Sequence, residues 1–152
     1  MSRPADRQPG KGRRIQADER VGFMLRLEVR PGLPPKDCRD LERRLEDYAE
    51  QRDLLLSGHQ LVHLVTAADR PLSVNDQVAL LDWLVDLPGL VSVRVGPLVS
   101  ERELHDEESA FLQVLPGELA LIGLTLLYRC GRITPALYLQ ILGGCVRPAH
   151  IH

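Results

Sequence analysis

The sequence predicts an α+β fold, and three patterns along the chain indicate it. Apolar and polar residues alternate over residues 23–30, as they do in a half-buried strand. Residues 35–52 carry apolar side chains at helical spacing and a densely charged opposite side. A second alternating segment begins at Val91 and stops at Gly96-Pro97, because proline has no N–H for a central ladder.

The first two predicted elements are a strand and a helix. Order is expected to begin near Val21, and the strand shows its alternation over residues 23–30, with Phe23, Leu25, Leu27 and Val29 on its apolar side. Three prolines and a glycine in residues 31–35 predict a turn. The helix covers about residues 35–52, and its buried stripe consists of Cys38, Leu41, Leu45, Tyr48 and Ala49.

The next segment predicts two strands or one long bent strand. Residues 54–60 and 61–67 are rich in apolar and β-branched side chains, and Gly58 marks the bend or hairpin. Ser73 and Asp76 then have the S-x-x-D spacing that approximates a capping box. A helix is therefore expected from residue 74 to about residue 87.

A valine-rich strand follows over residues 91–99. Val91, Val93 and Val95 are expected to share its buried face, because strand side chains alternate with a period of two. This strand completes the order β-α-β-β-α-β. That order predicts a ferredoxin-like sandwich, with both helices on one face of an antiparallel sheet.

The C-terminal part predicts added helices. Residues 107–144 are expected to form a helical hairpin, whose first helix follows Pro116-Gly117-Glu118 and ends near Gly131. Thr134-Pro135 starts the second helix, and Gly143-Gly144 is expected to stop it. Leucines surround most of the first helix, so we expect it to be buried nearly all round, on the open sheet face or in a dimer interface.

The predicted organisation thus has three parts. We expect a flexible basic arm over residues 1–17, an α/β domain over residues 18–104, and a C-terminal helical hairpin and tail over residues 105–152. Three cysteines, a polar N-terminus and the lack of any long apolar run predict reduced thiols, no membrane span and a cytoplasmic location.

Charge is distributed unevenly along the chain, although the net charge is only −2. Residues 1–20 hold six basic and three acidic side chains, whereas residues 21–104 hold ten basic and fourteen acidic ones. A basic arm favours an anionic partner, because basic side chains that contact phosphates release the counterions held by those phosphates. The alternative is a solubilising disordered tail. The candidate phosphate-contact residues are Lys11, Arg13, Arg14 and Arg20.

Candidate catalytic and metal-binding residues are few. His59 and His63 lie four apart, which in a single strand would separate them by about 13 Å, so surface or core-edge histidines are expected. Cys130, Cys145, His150 and His152 lack the paired spacing of a zinc site. Ser57-Gly58-His59 has no triad geometry, because residues two apart on a strand do not hydrogen-bond in that way. We therefore expect no enzyme, no cofactor and no metal site.

A longer pattern spans the helix and strand before residue 100. Asp82-Trp83-Leu84 ends the helix, Pro88-Gly89 makes a turn, and the strand closes with Val95-Gly96-Pro97-Leu98-Val99. Arg13-Arg14 stands before Asp18-Glu19 and Val21-Gly22-Phe23 at the other end of the domain. Together these features resemble the YggL family, small bacterial proteins associated with the large ribosomal subunit, over roughly residues 11–100.

The resemblance implies a ferredoxin-like domain with a non-enzymatic role at the large (50S) ribosomal subunit, for example in its assembly. Phe23 is the only aromatic residue in a predicted strand, so we expect contact through rRNA phosphates or ribosomal protein instead of base-specific recognition. Two alternatives stay open. One is a self-associating or protein-docking module that uses the hairpin of residues 107–144, for instance as a homodimer. The other is a small-molecule regulatory domain, which rests on fold analogy alone.

Overall fold

The computed structural model describes residues 20–100 and 111–145. Its strands are β1 (Val21–Val29), β2 (Leu54–His59), β3 (Val62–Ala67), β4 (Leu90–Val95), β5 (Val99–Ser100) and β6 (Leu112–Val114). Its helices are α1 (Pro35–Gln51), α2 (Val74–Leu84), α3 (Leu119–Arg129) and α4 (Pro135–Cys145). The predicted α+β class is confirmed.

The strands form one antiparallel sheet with β1 near its centre. The order is β2-β3-β1-β4-β6, and β5 pairs with the beginning of β1. Leu25 of β1 lies opposite His63 of β3 on one side and Val95 of β4 on the other. The core residues of β1 are thereby held between two neighbouring strands.

The sheet differs from the predicted four-stranded sandwich. The succession β-α-β-β-α-β is present from β1 to β4, but β5 and β6 enlarge the sheet and change its overall strand order. β6 was not predicted, and it pairs with β4 through Val114 opposite Val93. Three residues are too few for an alternating pattern to be recognised in a sequence.

α1 and α2 cover one face of the sheet. Their buried leucines share a single hydrophobic core with Phe23, Leu25 and Val65. The rings of Tyr48 in α1 and Trp83 in α2 stack with centroids 4.5 Å apart, which places the two helices side by side. The apolar stripe predicted for α1 is buried at Leu41, Leu45, Tyr48 and Ala49, and Cys38 is half-buried.

The prediction that Val91, Val93 and Val95 share one buried face is wrong at Val91. Val93 and Val95 are buried, whereas Val91 is exposed. The register between β1 and β4 shifts between Glu28 and Val29, so that Glu28 pairs with Ser92 but Val29 pairs with Leu90. This bulge leaves Val91 without a partner in β1 and interrupts the alternation of buried and exposed side chains at that position.

Two predicted helix ends also need correction. α2 ends at Leu84 instead of near residue 87. α4 continues through Gly143-Gly144 to Cys145. Glycine lowers helix propensity by about 1 kcal/mol, a cost that tertiary packing overrides here, since Leu142 is fully buried.

The C-terminal helices form the predicted hairpin, but α3 is not buried all round. Thr134 caps α4 by accepting a 3.1 Å hydrogen bond from the backbone N–H of Leu137, and Gly131 follows α3 with φ +75°. α4 packs against α2 and β6, with Tyr138 completely buried. α3 lies against α4 and buries Leu121, Leu124 and Thr125, while its opposite side stays exposed.

Candidate interaction surfaces

Only one of the four predicted phosphate-contact residues lies in the described part of the chain. Lys11, Arg13 and Arg14 lie outside the described residues. Arg20 directly precedes β1 and is half-buried. The arm of residues 1–17 therefore stays a prediction.

Two other arginines meet on the sheet face that points away from α1 and α2. Arg26 of β1 and Arg94 of β4 are direct cross-strand partners, and we call them the arginine pair. Leu25 and Leu27 flank Arg26 in sequence and point into the core, so Arg26 lies on the opposite face. The guanidinium carbon of Arg26 is 5.0 Å from the ring centroid of Phe111, a cation–π distance. Two arginine side chains therefore start from neighbouring positions on this face.

The exposed side of α3 is an apolar surface. Its members, which we call the apolar face, are Leu119 (84% exposed), Leu126 (55%), Leu127 (46%) and Ile122 (45%). Gly123 lies among them, and a Cβ built there would meet nothing within 4 Å. Arg129 is the only charged residue in α3 and stands at its last position. This face therefore offers an uncharged surface over about two and a half helical turns.

A small dimple adjoins the apolar face. Its volume is about 70 Å³. Its apolar wall is formed by Val85, Pro116, Leu121, Ile122 and Leu126, and Thr125, Asp86 and Arg129 complete it. The same surface thus carries both protruding leucines and a shallow apolar recess.

The charged groups beside this surface form one ion-pair cluster. Arg129 donates hydrogen bonds from Nε to Asp82 Oδ1 at 2.5 Å and from Nη2 to Asp86 Oδ2 at 2.6 Å. Nη2 also donates to the backbone oxygen of Asp82 at 3.0 Å. These bonds raise the pKa of Arg129 above its ordinary value. The resulting clamp fixes the end of α3 on α2 and, with one cation and two carboxylates, carries a net charge of −1.

A wider cleft of about 450 Å³ lies on the other side of the clamp. Trp83 and Tyr128 give it aromatic surface, and Arg52 closes one end. Arg52 lies over the ring of Tyr48 at 4.9 Å. Burial raises the pKa of Tyr48, so its phenol keeps its proton at neutral pH. Arg129 and its partners Asp82 and Asp86, which also line the cleft, join α3 to the end of α2.

The histidines and cysteines considered as metal ligands in the sequence do not form one site within the described residues. His59 in β2 is exposed, whereas His63 in β3 is buried and lies opposite Gly58. Neighbouring positions of a strand face opposite ways, so His59 and His63 lie on opposite faces of the sheet. Cys130 is exposed, and His150 and His152 lie outside the described residues. Within residues 20–100 and 111–145, no group of three His, Cys, Asp or Glu side chains is arranged to hold a metal ion.

Sequence reasoning missed both the arginine pair and the exposure of the apolar face. Alternation places Arg26 and Arg94 on polar sides of their strands, but it does not give the register that sets them opposite each other. The hydrophobicity of α3 indicates burial, but periodicity does not tell which of two apolar sides is covered.

Comparison of the chain with protein-family models, curated proteins and solved structures gave no match. In the described part of the chain, no helix has the length and apolar character needed to cross a membrane.

Proposed function

We propose that this chain is a non-enzymatic, YggL-like protein that binds the large ribosomal subunit in the bacterial cytoplasm. The residues that carry the resemblance within the described chain fall on the elements from β1 to β4. We interpret these elements as a ferredoxin-like sandwich to which β5 and β6 have been added. In support, α1 and α2 share one face and β1 lies between β3 and β4.

The observation that carries the proposal is the arginine pair. The register brings two arginines to neighbouring positions on the sheet face that points away from α1 and α2. Phosphates suit such a place, because guanidinium groups bind them with two parallel hydrogen bonds. We infer that the sheet face around the arginine pair and the basic arm contact rRNA phosphates, or ribosomal protein beside them.

The test is co-sedimentation of the full chain with purified bacterial large subunits in sucrose gradients at low and moderate salt. We expect comigration that fades as salt rises, because phosphate contacts depend on counterion release. Changing Lys11, Arg13 and Arg14 together to Glu should weaken binding about tenfold or more, and Arg94→Gln should weaken it less.

A matched control reverses the same number of charges on α1. Lys36, Arg39 and Arg43 are exposed there, and changing them to Glu should leave co-sedimentation close to that of the unaltered chain. Free protein at the top of every gradient, or equal losses in the arm and α1 variants, would contradict the proposal.

A second candidate function is a self-associating or protein-docking module that uses the C-terminal hairpin. The observation that favours it is the apolar face, because monomeric proteins rarely expose a contiguous apolar patch larger than a few hundred Å².

A further inference from the structure

The apolar face is large enough to form the centre of an interface. The exposed parts of Leu119, Ile122, Leu126 and Leu127 amount to an apolar surface on the order of 400 Å², within the range of the largest patches on monomers, which are often functional. A standard protein–protein interface buries about 800 Å² on each partner, with an apolar centre and a polar rim. The Arg129 clamp lies where such a rim is expected.

The charge of this surface does not oppose a second copy of the chain as the partner. α3 carries no charge except Arg129, and the clamp of Arg129 with Asp82 and Asp86 carries a net charge of −1 at the edge of the apolar face. The apolar face itself is uncharged, so two copies of it meet without charge repulsion at the centre of the contact.

The shape of the surface favours the same partner. In an interface with two-fold symmetry, one patch meets itself, so every knob on it needs a matching hole on the same patch. Leu119 is the most exposed apolar side chain, and the dimple beside Ile122 and Leu126 is an apolar recess. At Gly123 a second helix can approach closely, because no side chain stands there.

We propose that the chain forms a symmetric homodimer in which α3 packs against α3 of a second copy. The two helices cross near Gly123, and Leu119 of each copy enters the dimple of the other. This inference rests on the second candidate function and is independent of ribosome binding.

The experiment is sedimentation equilibrium of the full chain over a wide range of concentrations. We expect a molecular mass that rises with concentration from that of one chain to that of two. Leu119→Glu should raise the dimer dissociation constant about 30-fold or more, as removal of a central interface residue does. Glutamate in a first helical turn suits the helix dipole, so this variant should fold.

The matched control is Leu55→Glu, because Leu55 is also an exposed leucine (40%) but lies on edge strand β2. It should dimerise as the unaltered chain does. Leu126→Glu provides a second variant on the apolar face, and circular dichroism confirms folding in each case. A single-chain mass at all concentrations would overturn the proposal, and so would a dimer that survives both changes on the apolar face or is lost with Leu55→Glu.

The same experiment is informative whatever the ribosome gradients show. A chain that dimerises but does not bind large subunits supports the docking function alone. A chain that binds large subunits as a monomer supports the ribosomal function and excludes the dimer.

Discussion

At the scale of single residues, the start of α2 shows how one carboxylate is made to stabilise a helix. Asp76 Oδ2 accepts hydrogen bonds from the Ser73 N–H at 2.8 Å, from Arg70 Nη1 at 2.9 Å and from Ser73 Oγ at 3.2 Å. Burial alone would raise the pKa of Asp76, but the bonds from Arg70 and Ser73 outweigh burial and lower it. The S-x-x-D spacing predicted this capping box, whereas Arg70 was not predicted to join it.

We expect Asp76→Ala to reduce the free energy of unfolding by about 1 kcal/mol at pH 7. The pKa of Asp76 is lower in the folded chain than in the unfolded chain. Its stabilising effect is therefore complete above the unfolded pKa of about 3.9 and is lost as the pH falls through the folded value. Urea unfolding at pH 7, 5 and 3 should show the difference between the two proteins shrinking at pH 3.

Asp47→Ala provides the comparison, because Asp47 is exposed in the middle of α1. It should change stability by less than about 0.5 kcal/mol at each pH. An Asp76 effect that is the same at pH 7 and pH 3 would show that packing, and not the ionised carboxylate, stabilises the helix end.

At the scale of elements, α3 and α4 are joined by one buried polar contact. Thr125 Oγ1 and Tyr138 Oη are 2.9 Å apart, and both residues are buried. The ring of Tyr138 also packs against that of Tyr128, with centroids 5.3 Å apart. Burial raises the pKa of Tyr138, which keeps its hydroxyl able to donate a proton.

A double-mutant cycle should isolate this contact. Tyr138→Phe and Thr125→Val each leave the other hydroxyl buried without its partner, which costs about 1–3 kcal/mol. The double variant removes both hydroxyls, so its loss should be smaller than the sum of the two single losses by about 1 kcal/mol. Urea unfolding of all four proteins provides the measurement, and strictly additive losses would argue against a coupled pair.

The elements also show where sequence reasoning succeeds and where it stops. Long segments with a clear period were predicted closely: α1 within one residue of its observed ends, and β1 within about two. The bulge at Val91 and the three-residue strand β6 were not, because both depend on pairing with a distant segment. The apolar face was misjudged for the same reason, since its exposure depends on which side of α3 meets α4.

At the scale of the whole molecule, the C-terminal part is built into the core. β6 extends the sheet beyond β4, and Val114, Tyr138 and Leu142 belong to the same hydrophobic core as the leucines of α1 and α2. The chain boundaries predicted at residues 104 and 105 therefore separate segments that share one core.

Ending the chain at residue 100 should consequently destabilise the remainder. The truncation removes β6 from the edge of β4 and uncovers the side of α2 that α4 buries. We expect the melting temperature, followed by the fluorescence of Trp83, to fall by about 10 °C or more or the cooperative transition to disappear. A melting temperature within about 2 °C of that of the full chain would mean that the segments fold independently.

The central position of β1 has a consequence for the order in which the chain becomes stable during its synthesis. β1 is made before every other described element, yet Leu25 receives its last neighbour only when Val95 has been added. Until then one side of an apolar strand has unsatisfied N–H and C=O groups, which is the condition that promotes misassembly of nascent chains. Pairing between such distant segments also slows folding. The growing polypeptide thus depends on its own later residues, or on a chaperone, to protect its first strand.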